Sequence, residues 1–341
     1  MTPKTILLKH CFLGLICLIF AATIQAQDTP SFTVAFGSCN RTDLTNNLWD
    51  DIYKAQPNLF IWGGDNVYAD TDNMEKLAAF YKTLTEQPGY AKIASEIPVI
   101  GTWDDHDYGM NDGGVYFKAK AASQEVFLDF MGVAKDSPRR KQAGIYWAHH
   151  YKTADLYVKV LVLDTRYFRS DLTPDHETSK RNKPNPYGQG TVLGNAQWEW
   201  LENELQDGEP DVTLLVSSVQ FLSNEHGFEC WGNFPHEVDK LEQMLVSSVS
   251  QNVIILSGDR HISEISKKEI PGLSYPLIDF TSSGLTHAYT KFKGEPNPYR
   301  ASKVVAKESF GLLQFYAKER KLVLEMVTDG GLKADTFEMH F

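Results

Sequence analysis

The sequence predicts an α/β sandwich in which two central sheets are flanked by helices. Three observations lead there. Strand-like apolar runs alternate with helical patterns through the first half of the chain. The last third turns to hairpins, with Phe310–Phe315 and Lys321–Val327 on either side of a charged turn, Lys318-Glu-Arg320. Several apolar runs also end directly in cysteine, acidic or histidine clusters, and α/β sheets bind their ligands outside the carboxyl ends of the strands.

In chain order, strand Phe32–Phe36 leads to helix Thr45–Ala55, and strand Asn58–Trp62 to helix Asn73–Thr85. Strand Pro98–Thr102 precedes helix Ala119–Met131, and strands Ile145–His149 and Tyr157–Asp164 follow. Helix Asn195–Gln206 has Asn195 as its expected N-cap, ahead of strand Val212–Ser217. Helix Pro235–Val246 opens on a proline, which suits a first helical turn. Strands Val253–Ser257, Leu277–Thr281, Leu312–Ala317 and Leu322–Val327 complete the order. Two polar stretches, Asp171–Gly194 and Asn224–Asn233, read as long loops of the kind that shape active sites. With no repeat, low-complexity segment or linker, residues 27–341 read as one domain.

The chain has 341 residues, 42% of them apolar and 23% charged, which suits a large core and argues against disorder. A net charge of −11 disfavours polyanion binding outside a local basic or metal-lined site, so no nucleic-acid partner is indicated. Residues 1–26 read as a secretory signal peptide. Lys4 and Lys9 form its basic region, Cys11 to Ala22 its short apolar stretch, and Ile24-Gln-Ala26 its cleavage site. That stretch falls short of the ~20 residues that span a bilayer, which disfavours an anchor. No later segment could span one. The expected location is secreted or periplasmic. There Cys39 and Cys230 could form a disulfide, although Cys39 also ends a strand beside the other site candidates.

Asp104-Asp105-His106-Asp107 follows the apolar run from Ile97 to Thr102. Such a cluster repels itself unless solvated, paired or bound to a cation. One Asp could cap a helix, but a His embedded among acids suits a ligand or a general acid. Asn111 and Asp112 follow closely enough to add a ligand or support one. Gly63-Gly-Asp65 would point Asp65 out of the sheet edge, where a carboxylate can bridge two cations. Tyr68 could return to the same site as a phenolate suited to a hard metal; the plain alternative is a turn Asp and a core Tyr. Gly258-Asp259-Arg-His261 would face Asp259 and His261 into one pocket, or form a simple turn. Arg166, in Leu163-Asp-Thr-Arg166, would suit bidentate contact with phosphate, against a structural Asp–Arg pair. Gln220 could orient an anion or water, or pack. His149 and His150 read as structural, while His226 and His287 could line a pocket mouth.

Six motifs then fall in order: Phe36-Gly-Ser-Cys39, Gly64-Asp-Asn-Val-Tyr68, Thr102-Trp-Asp-Asp-His-Asp107, Leu163-Asp-Thr-Arg166, Trp231-Gly-Asn-Phe-Pro235 and Gly258-Asp-Arg-His261. This order resembles that of the PhoD-like alkaline phosphatases, a branch of the calcineurin-like metallophosphoesterases. The resemblance runs from Phe32 to Val327; any one motif is weak, and six in order are specific. It implies a four-layer α/β/β/α sandwich of the metallophosphatase type, with a two-metal site at strand ends. It implies that Asp65 bridges the metals and that Cys39 ligates iron. Iron and calcium are the implied metals, and zinc, manganese or magnesium also fit the residue types. Asp105 and Asp259 stand where the wider superfamily has Asn and His, which makes the pocket more anionic. Some members carry a further N-terminal domain. With only Gln27–Ser31 between the expected cleavage site and Phe32, that domain is expected to be absent here.

The expected function is a secreted, metal-dependent phosphoesterase acting on small phosphate mono- or diesters. Cys39, Tyr68 and Asp259 would hold one metal, and Asp105 with Asn111 or His261 the other. Bound water, its pKa lowered from about 15.7 towards 7, would attack phosphorus in line. His106 would protonate the leaving group and Arg166 would neutralise phosphoryl charge. One alternative is a non-catalytic secreted binding protein that keeps the fold and a structural metal; retention of every polar motif position argues against it. A metal-free glycosidase using two carboxylates is another.

Overall fold

The computed structural model describes residues 29–341. The expected signal peptide, residues 1–26, lies outside the described residues. Among those described, no helix is long and apolar enough to cross a membrane.

The first half runs β1 (Phe32–Gly37), α1 (Trp49–Lys54), β2 (Leu59–Gly63), α2 (Met74–Thr85), α3 (Pro88–Glu96) and β3 (Val99–Thr102). A one-turn helix α4 (Asp105–Tyr108), α5 (Lys120–Phe130), β4 (Trp147–Lys152) and β5 (Tyr157–Val162) follow. A small hairpin, β6 (Thr173–Pro174) and β7 (Asn182–Lys183), sits in the first long loop. Then come α6 (Gly194–Gln206), β8 (Val212–Val216), α7 (Pro235–Ser247), β9 (Val253–Ser257), β10 (Ser263–Lys268) and β11 (Leu277–Ser282). The chain ends in the meander β12 (Ser309–Tyr316), β13 (Lys321–Thr328) and β14 (Leu332–His340).

The strands make two six-stranded sheets, ordered β14-β13-β12-β1-β2-β3 and β10-β11-β9-β8-β5-β4. Side chains alternate across each strand, and that alternation builds the layers. Val34, Phe36, Leu59, Ile61, Ile254 and Leu256 join one core between the sheets. The intervening Ala35, Phe60 and Trp62 pack under helices α1, α2, α3 and α5. On the opposite side, Val253 and Ile255 pack under α6 and α7. The result is α/β/β/α, as the sequence predicts. Central strands buried on both faces read as predominantly apolar runs, which is why they are visible in the sequence.

Elements that break this pattern are missing from the sequence reading. Strand β14 is an edge strand with mostly half-exposed or exposed residues, so it carries no apolar signature. Strand β10 is polar yet buried; its Glu264 is paired with Arg300 at 2.6 Å. Helix α1 begins at Trp49 rather than Thr45, because the Asn46 side chain accepts the Leu48 amide at 2.9 Å and competes with the helix. Asn195 is not the cap of α6. The helix starts one residue earlier, where Thr191 Oγ1 accepts the Gly194 amide at 2.8 Å.

Strands β1, β2 and β3 are parallel to one another, as are β5, β8, β9 and β11. Their carboxyl ends meet across the gap between the sheets. The approach is close enough to require glycine. A Cβ on Gly258 would lie 2.6 Å from Ser38 Oγ and 2.9 Å from the Gly63 carbonyl. Gly64 has φ +99°, and its Cβ would lie 2.6 Å from Asp104 Cβ. Left-handed strain and overpacking act together there, so Gly64→Ala is expected to cost roughly 2–4 kcal/mol. Urea denaturation checks this; an unchanged midpoint would show that the strand ends can separate.

Candidate metal centre

The site is assembled from the turns that follow the parallel strands. Cys39 follows β1, Asp65 follows β2, Asp104 and Asp105 follow β3, and Asp259 and His261 follow β9. These turns are tight. Among the described residues, Cys39, Asp65, Asp70, Asp112, Asp259 and His261 all have positive φ, between 41° and 65°. Non-glycine residues avoid that region, and such strain concentrates at functional sites.

Cys39 Sγ lies 3.1 Å from Ser283 Oγ and 3.6 Å from Asp65 Oδ2. Ser283, just past β11, also accepts the His261 amide at 2.7 Å. Tyr68 OH lies 3.1 Å from His261 Nε2. Donor atoms within 4.8 Å of one another form three groups: Cys39, Asp65 and His261; Asp65, Asp105 and His106; Asp104, Asp105 and Asp259. Asp65 is shared by the first two groups, and Asp105 by the last two. The expected donors therefore converge, with a different partition. His261 sits beside Cys39 and Tyr68, not with the Asp105 side, and Asp259 groups with Asp105.

The acidic cluster divides its labour. Asp104 turns inward, where Ser218 Oγ donates to it at 2.6 Å and Arg166 pairs with it. Asp107 accepts from the Asp104 amide at 2.7 Å, from Asn66 Nδ2 at 2.7 Å and from Tyr81 OH at 3.1 Å. Asp105 and His106 line the cavity, together with Asp65, Asn111, Asp112, Arg181, Glu229, Asp259, Arg260 and His261. Asn111 faces that space with its side-chain oxygen 3.1 Å from Arg181 Nη2.

Arg166 requires a correction. It is fully buried and does not line the cavity. Its Nε donates to Asp104 Oδ1 at 2.5 Å and its Nη1 to Glu229 Oε2 at 2.6 Å. Glu229 in turn pairs with Arg169 Nε at 2.7 Å. The guanidinium is consumed by internal carboxylates, which is the structural reading of that motif. Gln220 packs inside, donating to Glu264 at 3.0 Å and Thr281 at 2.8 Å. His226 is bonded within its own loop, to the Ser223 carbonyl. His287 lies beside the site, its ring centre 4.4 Å from that of His261. Cys39 and Cys230 are both free and buried.

The sequence reading missed several residues. Asp70 holds His106 Nδ1 at 2.8 Å; its only signal is an acid two residues past Tyr68. Ser283 lies in a Thr-Ser-Ser-Gly run at a strand end, a weak cue. Glu229 and Arg181 sit in the two long loops, where nothing local marks them.

The electrostatics fit a cation. Burial, then Asp105 and the other nearby acids, push Asp65 well above the usual carboxylate range. Burial and Asp105 likewise raise Asp259 to about 7. Burial and Asp65 raise both the Cys39 thiol and the Tyr68 phenol. Asp105 differs. Burial raises it, but Arg166 and His106 outweigh burial and hold it low. Burial also opposes charge on His106, yet the Asp70 hydrogen bond and the surrounding carboxylates raise it to about 9. His261 is driven to about 3, by burial first and then by His287, so it is neutral and able to ligate. Asp104 Oδ2 is buried without a hydrogen-bond partner, in the group with Asp105 and Asp259. A pair of cations would satisfy these acids, which otherwise disfavour one another's charge.

A profile described as PhoD-like phosphatase matches residues 34–296. The chain belongs to the PhoD-like phosphatase family. Alkaline phosphatase D of Bacillus subtilis (strain 168) is 22% identical over 307 residues, covering 75% of this chain and 52% of that protein. The chain thus spans about half the length of that curated relative. A solved structure of PhoD matches with a TM-score of 0.69 at 18% identity, covering 92% of this chain and 69% of that one. A dimetal phosphatase from Danio rerio matches with a TM-score of 0.54 at 12% identity, covering 92% and 99%. These structures share the fold of this PhoD-like chain.

Replacing Arg166 tests its reassignment. Arg166→Met leaves Asp104 and Glu229 buried without their cation, and breaking a buried pair costs about 3–5 kcal/mol. A fall of that size in unfolding free energy is expected by denaturant titration. Unaltered stability with reduced turnover would restore the phosphate-binding role.

Proposed function

We propose that this chain is a metal-dependent phosphoesterase that hydrolyses small phosphate mono- or diesters. The catalytic domain is residues 27–341, exported to a secreted or periplasmic location after loss of residues 1–26. One observation carries the reading: Asp65 is shared by two donor groups where the carboxyl ends of both sheets meet, in a PhoD-like chain. The relatives described as alkaline phosphatase D and as a dimetal phosphatase support it.

Cys39, Tyr68, Asp65 and His261 would hold one cation. Asp105, Asp259 and Asn111, with Asp65 again, would hold the second. The first set, with thiolate, phenolate and imidazole, suits iron. The second is all oxygen and suits calcium. When bound, such cations neutralise phosphoryl charge and acidify water.

The chain's own residues supply the rest. Asp70 grips His106 at Nδ1 and keeps the ring protonated, so Nε2 is the nitrogen left to give a proton to the departing ester oxygen. The Arg166–Glu229–Arg169 chain fixes Asp104 below the cavity floor and depresses Asp105, which stays an anionic ligand. The strained turns at Cys39, Asp65 and Asp259 place their side chains in the donor groups that Asp65 and Asp105 join.

Prolonged chelation is expected to abolish hydrolysis of nitrophenyl phosphate esters, and metal to restore it. Asp65→Asn should lose both metal and rate. Full activity in protein shown to be metal-free by elemental analysis would overturn the proposal.

His106→Ala should keep most of its bound metal while turnover falls by roughly 10²–10⁴-fold, as for a positioned proton donor. Loss of metal with unchanged activity per bound ion would instead make His106 a ligand.

A further inference from the structure

We propose that Arg181 is the residue that grips the phosphoryl oxygens of the substrate, the role that Arg166 is too buried to fill. This rests on the phosphoesterase reading above. Two arginines and no lysine line the cavity of about 470 Å³. Arg260 is the more enclosed of the two: it is 7% exposed, and its Nη2 contacts both Glu295 carboxylate oxygens, at 2.7 and 2.9 Å, while its buried Nε has no partner. Its guanidinium also lies 4.1 Å from the Phe228 ring centre. Arg181 has a half-exposed side chain, 53% accessible. Its contacts with Asp112 Oδ2 (2.5 Å) and the Asn111 side-chain oxygen (3.1 Å) both use Nη2. Among the described residues, Nε and Nη1 have no acceptor. Each of these N–H groups can give a charge-assisted hydrogen bond to a phosphate oxygen.

The anchor also ties the guanidinium to the candidate metal centre. The Asp112 amide donates to Asp105 Oδ2 at 2.6 Å, so Arg181 is tied through one residue to a carboxylate of the candidate metal centre. The backbone is held as well. The Arg181 carbonyl accepts the Asp175 amide at 3.0 Å, and the next amide, Asn182, donates to Gly227 at 2.8 Å. That second bond staples the β6–β7 hairpin to the loop carrying Phe228 and Glu229. The two loops touch closely there, since a Cβ on Gly227 would lie 2.5 Å from Lys180 Cβ. Arg181 therefore stands on a braced hairpin, with one nitrogen used for positioning and two left without an acceptor on a half-exposed, cavity-lining side chain.

The test compares Arg181→Ala, Arg181→Lys and Asp112→Asn with the parent protein, all metal-loaded. Calorimetric titration with inorganic phosphate is read alongside KM and kcat on nitrophenyl phosphate esters, with metal content and unfolding midpoint for each protein. Arg181→Ala should weaken phosphate affinity and raise KM by about 10- to 100-fold, the range for a lost charge-assisted bond. Its kcat should change much less and its metal content should hold. Arg181→Lys should recover part of the affinity, since it keeps the charge but not the spread of N–H donors. Asp112→Asn should retain phosphate binding, because the guanidinium remains. Unchanged phosphate affinity in Arg181→Ala, or an equal loss in Asp112→Asn, would reduce Arg181 to a loop brace and overturn the proposal. Phosphate binding that depends on Arg181 in a protein that hydrolyses no ester would uphold this inference and defeat the phosphoesterase reading instead.

Discussion

Too many acids are buried in too small a volume for this fold to be indifferent to cations. Asp65, Asp104, Asp105, Asp107 and Asp259 all sit in or beside one cavity, with Asp65, Asp104, Asp105 and Asp107 at most 3% exposed. Removing carboxylates from water costs several kcal/mol each unless a partner compensates. The protein answers in two ways. It satisfies Asp104 with Arg166 and Asp107 with Asn66, Tyr81 and a backbone amide. It leaves Asp65, Asp105 and Asp259 facing the cavity beside a thiol, a phenol and an imidazole. Within the single segment Asp104–Asp107, acids held inside the fold and an acid facing the cavity are thus neighbours, separated by which way each side chain points.

That separation depends on the sandwich. Two sheets stack so that their parallel strands end at the same edge, and each sheet delivers part of the donor set. Cys39, Asp65 and Asp105 come from one sheet; Asp259, His261 and Ser283 come from the other. Direct hydrogen bonds cross the junction, as between Cys39 and Ser283 and between Tyr68 and His261. Gly258 lets the backbones approach closely enough for those bonds to form. The price is left-handed backbone at Cys39, Asp65, Asp259 and His261, which the cores above and below each sheet must sustain.

The loops add a second level of organisation. The stretch carrying Arg181 and the stretch carrying Glu229 meet over the cavity through Asn182 and Gly227. Glu229 reaches down to Arg166 and Arg169, while Arg181 reaches across to Asn111 and Asp112. One loop pair thereby braces the floor beneath Asp104 and frames the mouth above Asp105. Long loops of this kind vary easily without disturbing the strands.

The sequence by itself determined the layers and the location of the site. Strands β1, β2, β5, β8 and β9 are predominantly apolar because both their faces are buried, and the residues after them are polar because they leave the sheet. Cys39, Asp65, Tyr68, Asp105, His106, Asp259 and His261 were legible for that reason. Only the tertiary structure decided what each polar group faces. Arg166 carries the same local pattern whether it meets phosphate or carboxylate, and its partners Asp104 and Glu229 lie 62 and 63 residues away. Asp70, Ser283 and Arg181 become neighbours of the candidate site only when separate turns are brought together. Residue spacing encodes direction relative to a residue's own strand or helix, whereas pairing between elements depends on the packing of two sheets and two loops. The sequence pattern carries no term for that packing.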